Sequence, residues 1–169
     1  MTIATQRTTA SGCAPSTATQ RINYYLTSQS QQVLAASRLK SITTARKCVP
    51  QLIKAAQHIY DSWEQDDQGH DEEHGSGGIC HAIADEFCNV FSKAGISSTS
   101  FNSSIGTNHV WTVIKVKEGV YSVDIPPSTY ERGAGYTWTK LKGVRFTPDD
   151  IVFEHDSTDP STFNTYLED

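Results

Sequence analysis

The chain has 169 residues, 37% of them hydrophobic and 20% charged, with a formal charge of −5 at neutral pH. That supplies apolar material for one core and is too polar for a membrane protein. No apolar run approaches the roughly 18 residues that a spanning helix needs, and the N-terminus lacks the apolar stretch of a secretory signal, so Sec-type export is not expected.

The charge is distributed unevenly. No Asp or Glu precedes Asp61, whereas seven basic residues do: Arg7, Arg21, Arg38, Lys40, Arg46, Lys47 and Lys54. The remaining seven basic and all 19 acidic residues leave −12 on the rest of the chain. Such asymmetry suggests a targeting or delivery segment, or an internal electrostatic match. Nucleic-acid binding is not expected, because the basic residues are sparse and no aromatic platform is interleaved with them.

Residues 1–20 are rich in Thr, Ser, Ala and Gln and have little to bury, which predicts a disordered leader. Their acid-free character resembles an organelle transit peptide or the leader of an injected bacterial effector, and an ordinary floppy terminus explains it as well. Residues 21–169 read as one catalytic domain. Val33, Leu34, Leu39 and Ile42 predict an amphipathic helix ending near Cys48. Pro50 suits the first turn of a second helix, with Leu52, Ile53, Ala56, Ile59, Tyr60 and Trp63 on its apolar face. Asp66 to Gly75 reads as an exposed acidic loop.

After Gly77-Gly78, the residues Ile79, Ile83, Phe87, Val90 and Ala94 line one face of a third helix, which Gly95 closes. The apolar period then becomes two. Thr99 to Phe101 predicts a short strand and Val110 to Val116 a better one. Val120 to Ile125 is its hairpin partner across a Glu118-Gly119 turn, stopped by Pro126-Pro127. Gly133 to Gly143 reads as loop or edge strand. Thr147-Pro148 reads as an N-cap opening a short helix.

Cys13, Cys48, Cys80 and Cys88 have neither metal-type spacing nor the density of a disulfide scaffold, so reduced thiols in a cytosol-like compartment are the simplest reading. His70, His74, His81, Cys80 and Cys88 match no familiar zinc frame, so no metal or cofactor is expected. Cys80 stands apart from the other cysteines. It begins a helix, where free backbone N–H groups and the helix dipole favour a thiolate, and a glycine run gives access to it. The same N–H groups can form an oxyanion hole. Cys88, two turns deeper, reads as a structural buried thiol.

A nucleophilic cysteine needs a base, and the base needs an orienting acceptor. His109 opens the first strong strand and Asp124 ends the next. A lone cysteine is more often a core thiol and a lone histidine a satisfied strand residue; the ordered trio argues for chemistry. Gly78-Ile79-Cys80-His81-Ala82 with Lys93-Ala94-Gly95-Ile96, His109-Val110-Trp111, and Val123-Asp124-Ile125-Pro126-Pro127 resemble the motifs of the transglutaminase-like/papain-like cysteine enzymes. The match spans about a third of the chain, residues 75–128. Ile125 between the Asp and the prolines departs from the pattern, as does the lack of an aromatic residue directly before Cys80.

The resemblance implies an α+β fold, with the nucleophile helix packed on an antiparallel sheet that carries His and Asp. It also implies a hydrolase or acyltransferase that uses Cys80, His109 and Asp124 on an amide of a protein or peptide, without a cofactor. Protease, glutamine deamidase and transglutaminase all fit. A catalytically silent binding module of the same fold is the alternative from another class. The acidic loop, where it borders the site, favours a basic substrate surface. The compartment is cytoplasmic, or a host cytosol reached by a secreted or injected effector. Gln65, Gln68 and His74 are all conceivable oxyanion donors. One geometric difficulty stands out. A turn at Glu118-Gly119 faces Val113 to Asp124 and leaves His109 four residues away, about 13 Å along the strand. A triad therefore requires a turn nearer Val116-Lys117, or a bulge.

Overall fold

The computed structural model describes residues 38–75, 77–103, 109–133 and 137–168. The expected leader therefore lies outside the described residues, as do Val33, Leu34, Cys13 and Tyr136. The described elements form an α+β unit: helices lie against one face of a four-stranded antiparallel sheet. The helices are α1 (Ile42–Arg46), α2 (Val49–Ser62) and α3 (Ile79–Lys93). The sheet runs β1 (Ser97–Ser103), β2 (His109–Val116), β3 (Gly119–Asp124) and β6 (Val152–Ser157), in that spatial order. β4 (Glu131–Arg132) and β5 (Thr139–Lys140) form a separate small ribbon. No described helix is long and apolar enough to cross a membrane.

α2 and α3 form where the apolar spacing places them, but α1 starts only at Ile42: Leu39, expected within this helix, lies in a bend before the Ser41 cap. Ser41 caps α1 by accepting from the Thr44 N–H, and Pro50 occupies the first turn of α2. Leu52, Ala56, Ile59 and Tyr60 of α2 face Ile79, Ile83, Phe87 and Phe91 of α3 in one core. Gly95 ends α3 with φ +74°, a conformation that side chains resist. At the C-terminal end of α2, Lys140 Nζ donates to the carbonyls of Tyr60 (2.8 Å) and Trp63 (3.1 Å), where a cation is favoured.

Period-two alternation gives the sheet two faces. Ile114 and Val116 of β2, with Tyr121 and Val123 of β3, point toward the helices. Val113 and Val120 point the other way and are covered by Phe163 of a 3₁₀ turn, Pro160–Tyr166. β6 has no counterpart among the expected strands. Its sequence, Val152 to Ser157, is mostly exposed and carries only Phe153 onto the main core, so its apolar period is faint.

The acidic loop is largely exposed as expected, but Gly69 is buried and Asp71 is only 5% exposed. The Asp71 carboxylate accepts from the backbone N–H groups of Glu64 (2.6 Å) and Glu73 (2.9 Å), so it is a structural clasp rather than a solvated charge.

The hairpin turn corrects the sequence reading. Val116 pairs with Gly119, so the turn residues are Lys117-Glu118. Two remote contacts pin it there. The Glu118 carboxylate accepts from the Ile42 N–H at the start of α1 (2.8 Å), and the Lys117 N–H donates to the Lys40 carbonyl (2.9 Å). Gly119 has φ +129°, and a Cβ on it would stand 1.9 Å from the Ser157 carbonyl oxygen of β6. Gly119→Ala is therefore expected to destabilise the fold by about 2 kcal/mol or more, read as a lower urea midpoint. An unchanged midpoint would show that the strand end relaxes freely.

Candidate active site

The placement of Cys80 follows from how α3 lies on the sheet. Thr112 Oγ1, fully buried on β2, donates to the Ala84 carbonyl at 3.0 Å. Further along, Ser98 Oγ donates to the Cys88 carbonyl at 3.4 Å, and Ser98 stands opposite Ile114. Moving from Ala84 to Cys88 thus moves the contact from residue 112 to the level of residue 114. Four helical residues rise about 6 Å, close to two strand residues. One turn back from Ala84 brings Cys80 to the His109 end of β2.

Gly78 caps α3 without a side-chain bond, and its carbonyl takes the N–H groups of His81 and Ala82. The N–H groups of Ile79 and Cys80 precede the first intrahelical bond and have no acceptor within the helix. Such N–H groups can receive an anion at the helix start. A Cβ on Gly78 would meet nothing within 4 Å, so the approach to Cys80 is open there.

His109 and Asp124 are brought together. The Lys117-Glu118 turn sets Thr112 opposite Val123 and hence Trp111 opposite Asp124, which reduces the offset of His109 from four residues to two. That diagonal separation is within reach of two long side chains. His109 Nε2 lies 2.7 Å from Asp124 Oδ2, with both side chains largely shielded from solvent. Cys80 is close enough to the same imidazole to favour its protonated form.

Electrostatics fit a proton-handling histidine. Burial pulls the imidazole down, but the hydrogen bonds to Asp124 and Cys80 and their negative charge outweigh it, pushing it up to about 10. Burial pushes Asp124 up, while the His109 contact and the Ile125 N–H pull it back toward the anion. A carboxylate 2.7 Å from a cationic ring stays ionised at neutral pH. Cys88 is half-buried, and desolvation raises its thiol, as a structural cysteine requires.

Two residues near the trio carry no signal in the sequence. Tyr130 is 1% exposed and is pushed well up, first by burial and then by the charges of Cys80, Glu131 and Asp124. Glu131 is half-buried on β4, and its carboxylate makes no hydrogen bond or ion pair among the described residues. Burial pushes its carboxyl up, and His109 pulls it back. Both follow Pro126-Pro127, and only the fold of that segment turns them toward the site.

Two of the conceivable oxyanion side chains, Gln65 and His74, have other partners, and for Gln68 only the backbone N–H is bonded among the described residues. Gln65 Nε2 donates to the Trp138 carbonyl at 3.0 Å. His74 Nε2 lies 2.9 Å from Ser62 Oγ, and its ring stacks on Trp63. Gln68 belongs to the turn that Asp66 closes. Trp138 is a core residue, whereas Trp111 is half-buried beside His109. Among the described residues no three His, Cys, Asp or Glu side chains assemble as a metal site would need. Comparison with protein-family models, curated proteins and solved structures finds no significant match to this chain.

Proposed function

We propose that this protein is a thiol enzyme acting on amide bonds, related in fold and mechanism to the transglutaminase-like/papain-like cysteine enzymes. The single observation that carries the reading is the shared imidazole. His109 bonds Asp124 at 2.7 Å, and Cys80, at the open end of a helix, lies near enough to raise the same imidazole. In the proposed reaction His109 already holds the proton given up by Cys80, and the sulfur attacks the carbonyl carbon of a peptide bond or a Gln side chain. The N–H groups of Ile79 and Cys80 receive the oxyanion. The carbon–nitrogen bond breaks, the amine leaves with the His109 proton, and an acyl-thioester remains. Asp124 holds the imidazole in the required tautomer and faces its positive charge.

Water, deprotonated by His109, resolves the thioester in proteolysis or deamidation; an amine resolves it in transglutamination. The acidic loop leading into the glycine approach, together with the unpaired Glu131, favours a basic substrate surface. A host protein met by a delivered effector is one setting that the basic leader suggests.

The test is mass spectrometry of candidate proteins treated with wild type and with Cys80→Ala. New termini identify a protease, and a gain of about one dalton at Gln identifies a deamidase. A mass change that persists with Cys80→Ala would refute the nucleophile.

A further inference from the structure

The outer face of the sheet carries a polar chain that the reaction above does not use. On β6, Ser157 faces Val120 and His155 faces Tyr121, so Asp156 is an extra residue at a register shift. A bulge of this kind bends the strand and re-aims a side chain. Here it brings Asp156 Oδ2 onto the outer face, where it accepts from Ser122 Oγ. Ser122 Oγ in turn accepts from Trp111 Nε1 at 3.1 Å.

The direction of this chain is fixed. A carboxylate only accepts and an indole N–H only donates, so the hydroxyl between them has one orientation available. Trp111 shares its face of β2 with His109, and the two rings lie 5.8 Å apart at 31°. Across the hairpin the same residue stands opposite Asp124. Phe101 meets Trp111 edge-on at 5.1 Å and is itself backed by Tyr166. The indole is therefore gripped at its N–H and along its ring, beside both members of the His109–Asp124 pair.

We propose that Asp156 and Ser122 are positioning residues: they hold the Trp111 ring against His109 and keep water off its hydrogen bond to Asp124. The proposal rests on the reading of His109 as the base. The relay acts through the dielectric, because a hydrogen bond strengthens where water is excluded. The charged groups facing His109 are Asp124 on β3, Cys80 on α3 and Glu131 on β4, and the variants below alter none of them.

The test compares Ser122→Ala and Asp156→Ala with wild type by NMR titration of His109, alkylation of Cys80 by iodoacetamide and thermal unfolding. In both variants His109 is expected to titrate at lower pH than in wild type. Cys80 alkylation at pH 7 is expected to slow about fivefold to tenfold, the scale of one lost hydrogen bond. Ser122→Thr, which keeps the hydroxyl, restores both. A wild-type His109 titration in Ser122→Ala overturns the relay, even if the melting temperature falls. Failure of the underlying reading is separate. It would appear as a wild-type Cys80 no more reactive than Cys88, while the His109 titration still decides whether the relay exists.

Discussion

Replacing Cys80 with alanine is expected to lower turnover by at least roughly 10⁴-fold while leaving the fold and substrate binding intact. The size of the effect follows from covalent chemistry: without the sulfur no acyl-thioester forms, and the oxyanion donors have nothing to stabilise. The fold survives because the Cys80 side chain is only half-buried and alanine is the best helix former. The backbone N–H groups at 79 and 80 also remain. Single-turnover assays with denaturation curves check both halves. Cys88→Ala is the control, since that thiol lies two turns deeper and is raised by burial. Equal losses in the two variants would mean that cysteine removal acts through packing.

Asp124→Asn is the second large effect, and its signature is in pH as much as in rate. An asparagine can offer its amide to Nε2 in the wrong sense and can no longer balance an imidazolium, so a fall of about 10²- to 10⁴-fold is expected. In the wild type His109 is pushed up to about 10, and in the proposed mechanism protonated His109 is the acid that releases the amine. Turnover should therefore persist into alkaline solution and fall as pH rises through about 10. Removing the Asp124 hydrogen bond and charge leaves burial, which pulls the imidazole down, as a dominant influence. The alkaline limb of Asp124→Asn should then move down toward the ordinary imidazole range.

Stability follows the same sign. The folded value of about 10 lies above the ordinary 6.5, so the His109 contribution is fully present below pH 6.5 and is lost as pH climbs through 10. Urea midpoints of wild type and Asp124→Asn across pH 6 to 10 test this. Parallel curves would place the proton elsewhere.

Much of this was legible in the residues, and the failures have identifiable causes. Apolar spacing located α2 and α3, and Gly95 marked the end of α3, because local propensity and the buried face agree there. The hairpin turn was misplaced by one residue. A local pattern favours Glu118-Gly119, but the Glu118 carboxylate is held by the Ile42 N–H, 76 residues away in sequence. That one-residue displacement shifts the pairing by two and separates a non-functional register from one in which His109 reaches Asp124.

Other misses were also non-local. β6 is placed by pairing with β3 rather than by its own sparse hydrophobicity. Asp71 looked like one more solvated acid, and only the folded loop gives its carboxylate two N–H donors. Tyr130 and Glu131 sit in no motif. A chain turning after Pro126-Pro127 brings them to the site, and sequence spacing does not encode that.

The central claim is that Cys80 shares an imidazole with Asp124 and is therefore the reactive thiol of this chain. The most direct measurement is limited alkylation of the native protein with iodoacetamide at pH 6–7, with each cysteine peptide quantified by mass spectrometry. Cys80 should be labelled well ahead of Cys13, Cys48 and Cys88, and His109→Ala should erase that lead. Labelling of Cys80 at the pace of the other three thiols, or a lead that survives His109→Ala, would contradict the account.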